Sequence, residues 1–269
     1  MIPVPLALAA VALALITSII ASMAGVGGGF LYVPLLTLVF GLGPVDAVGT
    51  SLIVIIFTTL AASVSYLRQG RVFFRSALFL IIPGIAGAMI GAYATAFLPG
   101  ALIGVLFSLI VGLLSIKLLF PSFPLIRPIE CGPACDEVCY DCFSVTVRHR
   151  IFYLHYIAWG LYSGLASGLI GIGGGVINVP ALVTAGMPVH FATATSTLVV
   201  LCTSVTGGGI HAILGHVNIW YASLFSCGAV IGGYLGARLA PRAPERVLRI
   251  CIGLLFAGVA LAMGINSFM

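Results

Sequence analysis

Charge is what this sequence has least of. Only 6% of its 269 residues are Asp, Glu, Lys or Arg, against 61% hydrophobic, whereas a soluble domain carries about a quarter charged residues. With a mean hydropathy of +1.27, that shortfall excludes an ordinary soluble domain and places the chain in a bilayer. No basic residue precedes the apolar core of "MIPVPLALAAVALALITSII", so the first segment reads as a retained span and not a cleaved signal. The apolar segments do not alternate with polar residues, which excludes a β-barrel. A G-x-G-x-x-G loop would need glycine at Phe30 and Val176, and no G-K-[ST] follows, which excludes a nucleotide loop. No Lys, Arg or carboxylate stands at the middle of any apolar segment, and no constellation for hydrolysis or phosphoryl transfer is present. The net charge of +5 comes from arginines at segment ends, where headgroups and cytosol meet them, and needs no nucleic-acid partner.

Eight apolar stretches near 3–23, 47–66, 74–97, 101–120, 151–170, 189–214, 219–240 and 247–266 each approach the length that crosses a membrane. Two shorter ones, 30–40 and 176–185, follow the glycine breaks "GVGGGFLYVP" (25–34) and "GIGGGVINVP" (171–180). At about 1.5 Å per residue each reaches only half-way across. Sliding the sequence on itself by 145 positions lays Gly70 on Gly215, Val72 on Val217, Gly87 on Gly232, Gly91 on Gly236 and Pro99 on Pro244. The chain is therefore a duplication: residues 1–120 form one transmembrane repeat and 151–269 the other, joined by a polar linker at 121–150.

Lysine and arginine flanking short loops stay in the cytoplasm. The first repeat has Arg68, Arg71 and Arg75 between its second and third full spans, where the second has the uncharged "LGHVNIW". The second has Arg238, Arg242, Arg246 and Arg249 between its third and fourth, where the first has "FLPGA". This exchange of bias is expected of an all-α polytopic protein built from two inverted repeats. Inversion needs an odd number of passes, so each repeat is expected to have four full spans plus one re-entrant half-helix. The linker, with Lys117, Arg127, Arg148 and Arg150 around it, then lies in the cytoplasm and both termini outside.

A helix restarting after consecutive glycines presents unpaired backbone N–H groups and the positive end of its dipole, an anion site without a charged side chain. Irregular backbone at membrane depth must be buried in protein or line a cavity, so the two breaks are expected to face each other. The candidate binding residues are Gly27, Gly28, Gly29 and Phe30 in one repeat and Gly173, Gly174 and Gly175 in the other. Thr50, Ser51, Thr195 and Ser196 either donate to an oxyanion or bond their own backbone. Asn178 adds a polar group where the first repeat has Tyr32. Small residues four apart in "GLYSGLASG" (160–168), "GAMIG" (87–91) and "GAVIGGYLG" (228–236) are instead expected to pack helices.

"GVGGGFLYVPLL" (25–36) with "VDAVGTSL" (45–52), and "GIGGGVINVPAL" (171–182) with "VHFATATSTL" (189–198), resemble the doubled motif of the TauE/SafE family of sulfite and organosulfonate exporters. The resemblance covers nearly all of the chain outside the linker. It implies secondary transport, not enzymatic activity, with sulfite, sulfoacetate or a related sulfonate as cargo and lipid as the other partner. Import of a thiosulfate-like anion uses the same plan. Export of one negative charge from an inside-negative cell yields about 2.3 kcal/mol per 100 mV, so no coupling ion is needed. Asp46, His190 and His211 are candidates for a proton relay, or are interfacial polar groups.

The linker motif "CGPACDEVCYDC" holds Cys131, Cys135, Cys139 and Cys142 beside four of the six acidic residues. In a reducing cytoplasm these read as thiolate ligands for zinc, or for an iron–sulfur cluster, or as free or redox-active thiols. Outside the cell they would read as two disulfides. A membrane thiol oxidoreductase is the competing function, but it needs a cysteine pair at membrane depth, and Cys202, Cys227 and Cys251 are isolated.

Overall fold

The computed structural model describes residues 4–119, 150–185, 187–242, 254 and 257–262. Every regular element among them is helical. The first repeat supplies α1 (Val4–Ala24), α2 (Gly29–Pro34), α3 (Pro44–Arg68), α4 (Phe74–Thr95) and α5 (Gly100–Leu119). The second supplies α6 (Arg150–Ile170), α7 (Gly175–Thr184), α8 (Val189–Ile213) and α9 (Ile219–Leu239), with a short 3-10 turn at Ala240–Arg242. Five of these, α1, α3, α4, α8 and α9, are long and apolar enough to cross a membrane. The helices α5 and α6 have 20 and 21 residues. The stretch expected at 247–266 falls largely outside the described residues, as does the linker.

Local chemistry accounts for the element ends. Proline opens α3 and stands just before α8, where its missing N–H costs nothing. At α9 the side chain of Asn218 caps the helix by accepting from the Tyr221 N–H at 3.4 Å. Within α2, Pro34 has no N–H to give, and the backbone widens into a π turn over Leu35–Val39. Hydroxyls inside the spans mostly return to their own helix, as Ser22 does to the Ser18 carbonyl at 2.6 Å and Thr59 to that of Ile55 at 2.7 Å. Large apolar side chains such as Ile82, Ile90 and Leu109 point outward, which hydrocarbon tolerates.

Two glycine seams tie the repeats together. Along the first, Gly228, Gly232 and Gly236 of α9 lie directly on the Val11, Leu15 and Ile19 carbonyls of α1. Along the second, Gly164 and Gly168 of α6 lie on the Gly84 and Ala88 carbonyls of α4, and Gly87 and Gly91 lie on those of Leu161 and Leu165. In both seams residue numbers climb together, so the helices run parallel. These are the small-residue stripes expected from the sequence to pack helices, and no Cβ fits at these points of contact.

The centre is formed by α3 and α8, which run antiparallel. Near the start of α3, Thr50 meets Asn218 just beyond α8, and Leu52 packs on Gly207. Just past the end of α3, Phe73 meets Thr195 near the start of α8. At about 1.5 Å per residue each is about 37 Å long, more than the ~30 Å hydrocarbon core. Because α9 turns back from α8 and runs with α1, α1 runs in the same sense as α3. By the same steps α6 runs with α8. The short α2 turns back along α3, and α7 along α8.

Candidate functional site

Both glycine breaks lie at the middle of the central pair. The residue before each half-helix, Gly28 (φ 95°) or Gly174 (φ 77°), is left-handed, a conformation glycine adopts without strain. The carbonyl of Gly28 accepts from the N–H groups of Leu31 and Tyr32, and that of Gly174 from Ile177 and Asn178, so both half-helices begin alike. A Cβ on Gly27 would stand 2.7 Å from Val200 and 3.1 Å from Ile55, and one on Gly173 would stand 3.0 Å from Val200. Ile55 and Val200, both fully buried, occupy matching places in α3 and α8 and wall both loops.

The loops also touch each other. A Cβ at Gly175 would come within 2.6 Å of the Gly25 carbonyl oxygen, and Gly29 lies directly on the Gly171 carbonyl. The amino ends of α2 and α7 therefore meet from opposite directions. In this conformation no room for even a methyl group remains between them, so a ligand could enter only if the loops part.

Ser51 and Ser196, expected near a bound anion, reach across the repeats. The Ser51 hydroxyl lies 2.8 Å from the Val48 carbonyl and 3.2 Å from that of Gly171, and Ser196 donates to Gly25 at 2.9 Å. Each repeat thus anchors the other's glycine loop. Thr50 and Thr195 serve a second exchange nearer the membrane faces: Thr50 accepts from the Asn218 N–H at 3.0 Å and Thr195 from the Phe73 N–H at 3.1 Å. All four hydroxyls are engaged with backbone.

Asn178 differs from the other expected residues. It is fully buried in the first turn of α7, and neither atom of its amide has a hydrogen-bond partner. In the matching place Tyr32 is satisfied, its hydroxyl 3.1 Å from that of Thr58. Phe30 is likewise fully buried in the first turn of α2.

Asp46 and His190 open α3 and α8, and because those helices are antiparallel the two side chains lie at opposite ends of the bundle. His211 lies toward the Asp46 end, with Nε2 2.9 Å from the Gly168 carbonyl oxygen. Tyr66, 145 positions earlier, donates similarly to the Ser22 carbonyl at 2.7 Å. These two side chains secure the last turns of α6 and α1, and the three candidate relay groups are not brought together. Cys131, Cys135, Cys139 and Cys142 lie outside the described residues. No group of His, Cys, Asp and Glu that could hold a metal occurs among the described residues.

Sequence reasoning missed Ile55 and Val200, and also Thr203, whose hydroxyl lies 3.4 Å from the Gly173 carbonyl oxygen. The signal was available. The same 145-position shift that lays Gly70 on Gly215 pairs Ile55 with Val200 and Thr58 with Thr203.

This is the architecture of a multi-pass helical membrane protein with two broken segments meeting at its centre. A family model described as "Sulfite exporter TauE/SafE" matches residues 10–263. The chain belongs to the TauE/SafE family of membrane transporters. It is 34% identical over 241 residues to the probable membrane transporter protein YunE of Bacillus subtilis, covering 85% of this chain and 86% of that protein. A probable membrane transporter protein of Xylella fastidiosa (strain Temecula1) is 30% identical, covering 88% of this chain and 87% of the relative. Another, MJ0441 of Methanocaldococcus jannaschii, is 26% identical over 92% of this chain and 91% of its own length. No solved structure matches.

Proposed function

We propose that the chain is a secondary transporter of a small sulfur-containing oxyanion such as sulfite, sulfoacetate or another organosulfonate, exported by alternating access. The cargo follows from the family's description. The observation that carries the site is Asn178, an amide with no partner, buried in the first turn of a helix that starts from consecutive glycines. A buried polar group without a partner costs about 1 to 3 kcal/mol, a cost that a bound oxyanion would offset. Helix-start amides of α7 and α2 complete the cradle when the loops part. The touching loops, with Ile55 and Val200 behind them, are the closed gate of this conformation.

The inverted arrangement is supported by the antiparallel course of α3 and α8, which are equivalent helices of the two repeats. It is supported also by the arginines: Arg68 and Arg238, one from each cluster, border a common groove. That face is the cytoplasmic one by the charge rule, in the cell's inner membrane. We propose further that Cys131, Cys135, Cys139 and Cys142 are thiolate ligands for zinc, with an iron–sulfur cluster or free, redox-active thiols as the other readings; metal analysis of the purified protein decides between them.

The test is uptake of labelled sulfite or sulfoacetate into proteoliposomes under an imposed potential. Asn178→Ala should leave the melting temperature unchanged or raised, because it removes an unpartnered polar group, and should lower flux at least about tenfold, the loss of one hydrogen bond to a charged ligand. Wild-type flux in that variant removes Asn178 from the site. Normal flux in both Gly28→Leu and Gly174→Leu, with the fold intact, removes the cradle.

A further inference from the structure

We propose that the groove between α1, α3 and α9 holds one anionic phospholipid of the glycerol-headgroup type. The groove encloses about 600 Å3. Arg68, Gln69, Tyr234 and Arg238 line it together with Ile19, Leu235 and Leu239, the two leucines each 41% exposed. Because α3 and α9 run in parallel, their last turns bring both guanidinium groups to the same membrane face. Asp46, the one carboxylate among the described residues, lies at the other end of α3 and cannot neutralise them. Two arginines bordering one groove repel each other unless an anion lies between them.

Two contacts preorganise this end. The guanidinium carbon of Arg238 sits 5.0 Å from the centre of the Tyr234 ring, which fixes the plane of its donors. The Gln69 amide nitrogen donates to Ser65 Oγ at 3.2 Å and to the Ala237 carbonyl at 3.1 Å, joining α3 to α9. That leaves Gln69 Oε1 buried without a partner, an acceptor that calls for an O–H donor beside the anion. A phosphodiester bearing a glycerol headgroup supplies both: phosphate oxygens for the two arginines and a hydroxyl for Gln69. Its acyl chains run inward along Leu235 and Ile231, both exposed on the same face of α9.

The other repeat provides an internal control. A shift of 145 positions replaces Arg68, Gln69 and Arg238 with Ile213, Leu214 and Tyr93. The matching positions on the opposite face therefore hold no arginine. Duplication would have given both faces the same chemistry, and only the face with the arginine clusters has it, as binding from an anionic leaflet requires.

The full-length protein, stripped of lipid in detergent, is titrated with phosphatidylglycerol, phosphatidylmethanol and phosphatidylcholine and followed by native mass spectrometry. One phosphatidylglycerol per chain is expected, preferred over phosphatidylcholine about thirtyfold, the attraction of two arginines near an anionic surface. The double variant Arg68→Gln/Arg238→Gln loses the preference, and Arg71→Gln/Arg75→Gln keeps it. Wild type favours phosphatidylglycerol over phosphatidylmethanol, which has no headgroup hydroxyl, and Gln69→Leu abolishes that difference. No preference in wild type, or equal loss in both arginine doubles, overturns the proposal. So does displacement of the lipid by millimolar sulfate, which would make the groove a vestibule for soluble oxyanions.

Discussion

Ser51 and Ser196 each donate to the glycine loop of the opposite repeat, and this exchange is the smallest unit of the architecture. Ser51→Ala or Ser196→Ala should each lower stability by about 0.5 to 1.5 kcal/mol, the usual worth of one buried hydrogen bond, read as a fall in melting temperature. Neither change should abolish flux on its own, because no ligand-facing group is removed. Sequence alone marked these serines as polar groups near the glycine breaks. It did not distinguish a hydroxyl meeting a ligand from one meeting a carbonyl 120 or 171 residues away, because composition carries no information about which loop lies opposite. Asn178 stood out in the sequence because the matching position holds Tyr32, and the structure buries its amide without a partner.

At the scale of elements, the seams dominate. Gly164→Leu in α6 or Gly232→Leu in α9 forces a side chain onto the facing backbone, and either should cost about 1 to 3 kcal/mol or prevent assembly. Gly209 of α8 has nothing within 4 Å of its would-be Cβ. Gly209→Ala should therefore be neutral or stabilise by about 0.5 to 1 kcal/mol. Thermal unfolding in detergent separates the two outcomes. The half-helices were readable from the sequence to within a residue or two, since glycines open them and lost hydropathy closes them. The π turn at Leu35–Val39 was not, because Pro180 occupies the matching place in α7, which continues α-helical to Thr184.

For the molecule as a whole, the prediction concerns sidedness. In a cysteine-free background, single cysteines replacing Gly70 and Pro241 should be labelled from one side of the membrane, and one replacing Gly215 from the other. Labelling of the Gly70 and Gly215 positions from one side, with the Pro241 position on the other, would refute inversion. The duplication and apolar segments were legible because lipid imposes a simple code of length and hydropathy. The neighbours of each helix were not, because every span looks alike to hydrocarbon and small-residue stripes do not name their partners.

Both seams cross from one repeat to the other, with α1 lying on α9 and α4 on α6. A hybrid joining the first repeat of this chain to the second repeat of a relative would therefore set two strange surfaces against each other along their whole length. Such a chimera should assemble only when the facing stripes are transplanted together.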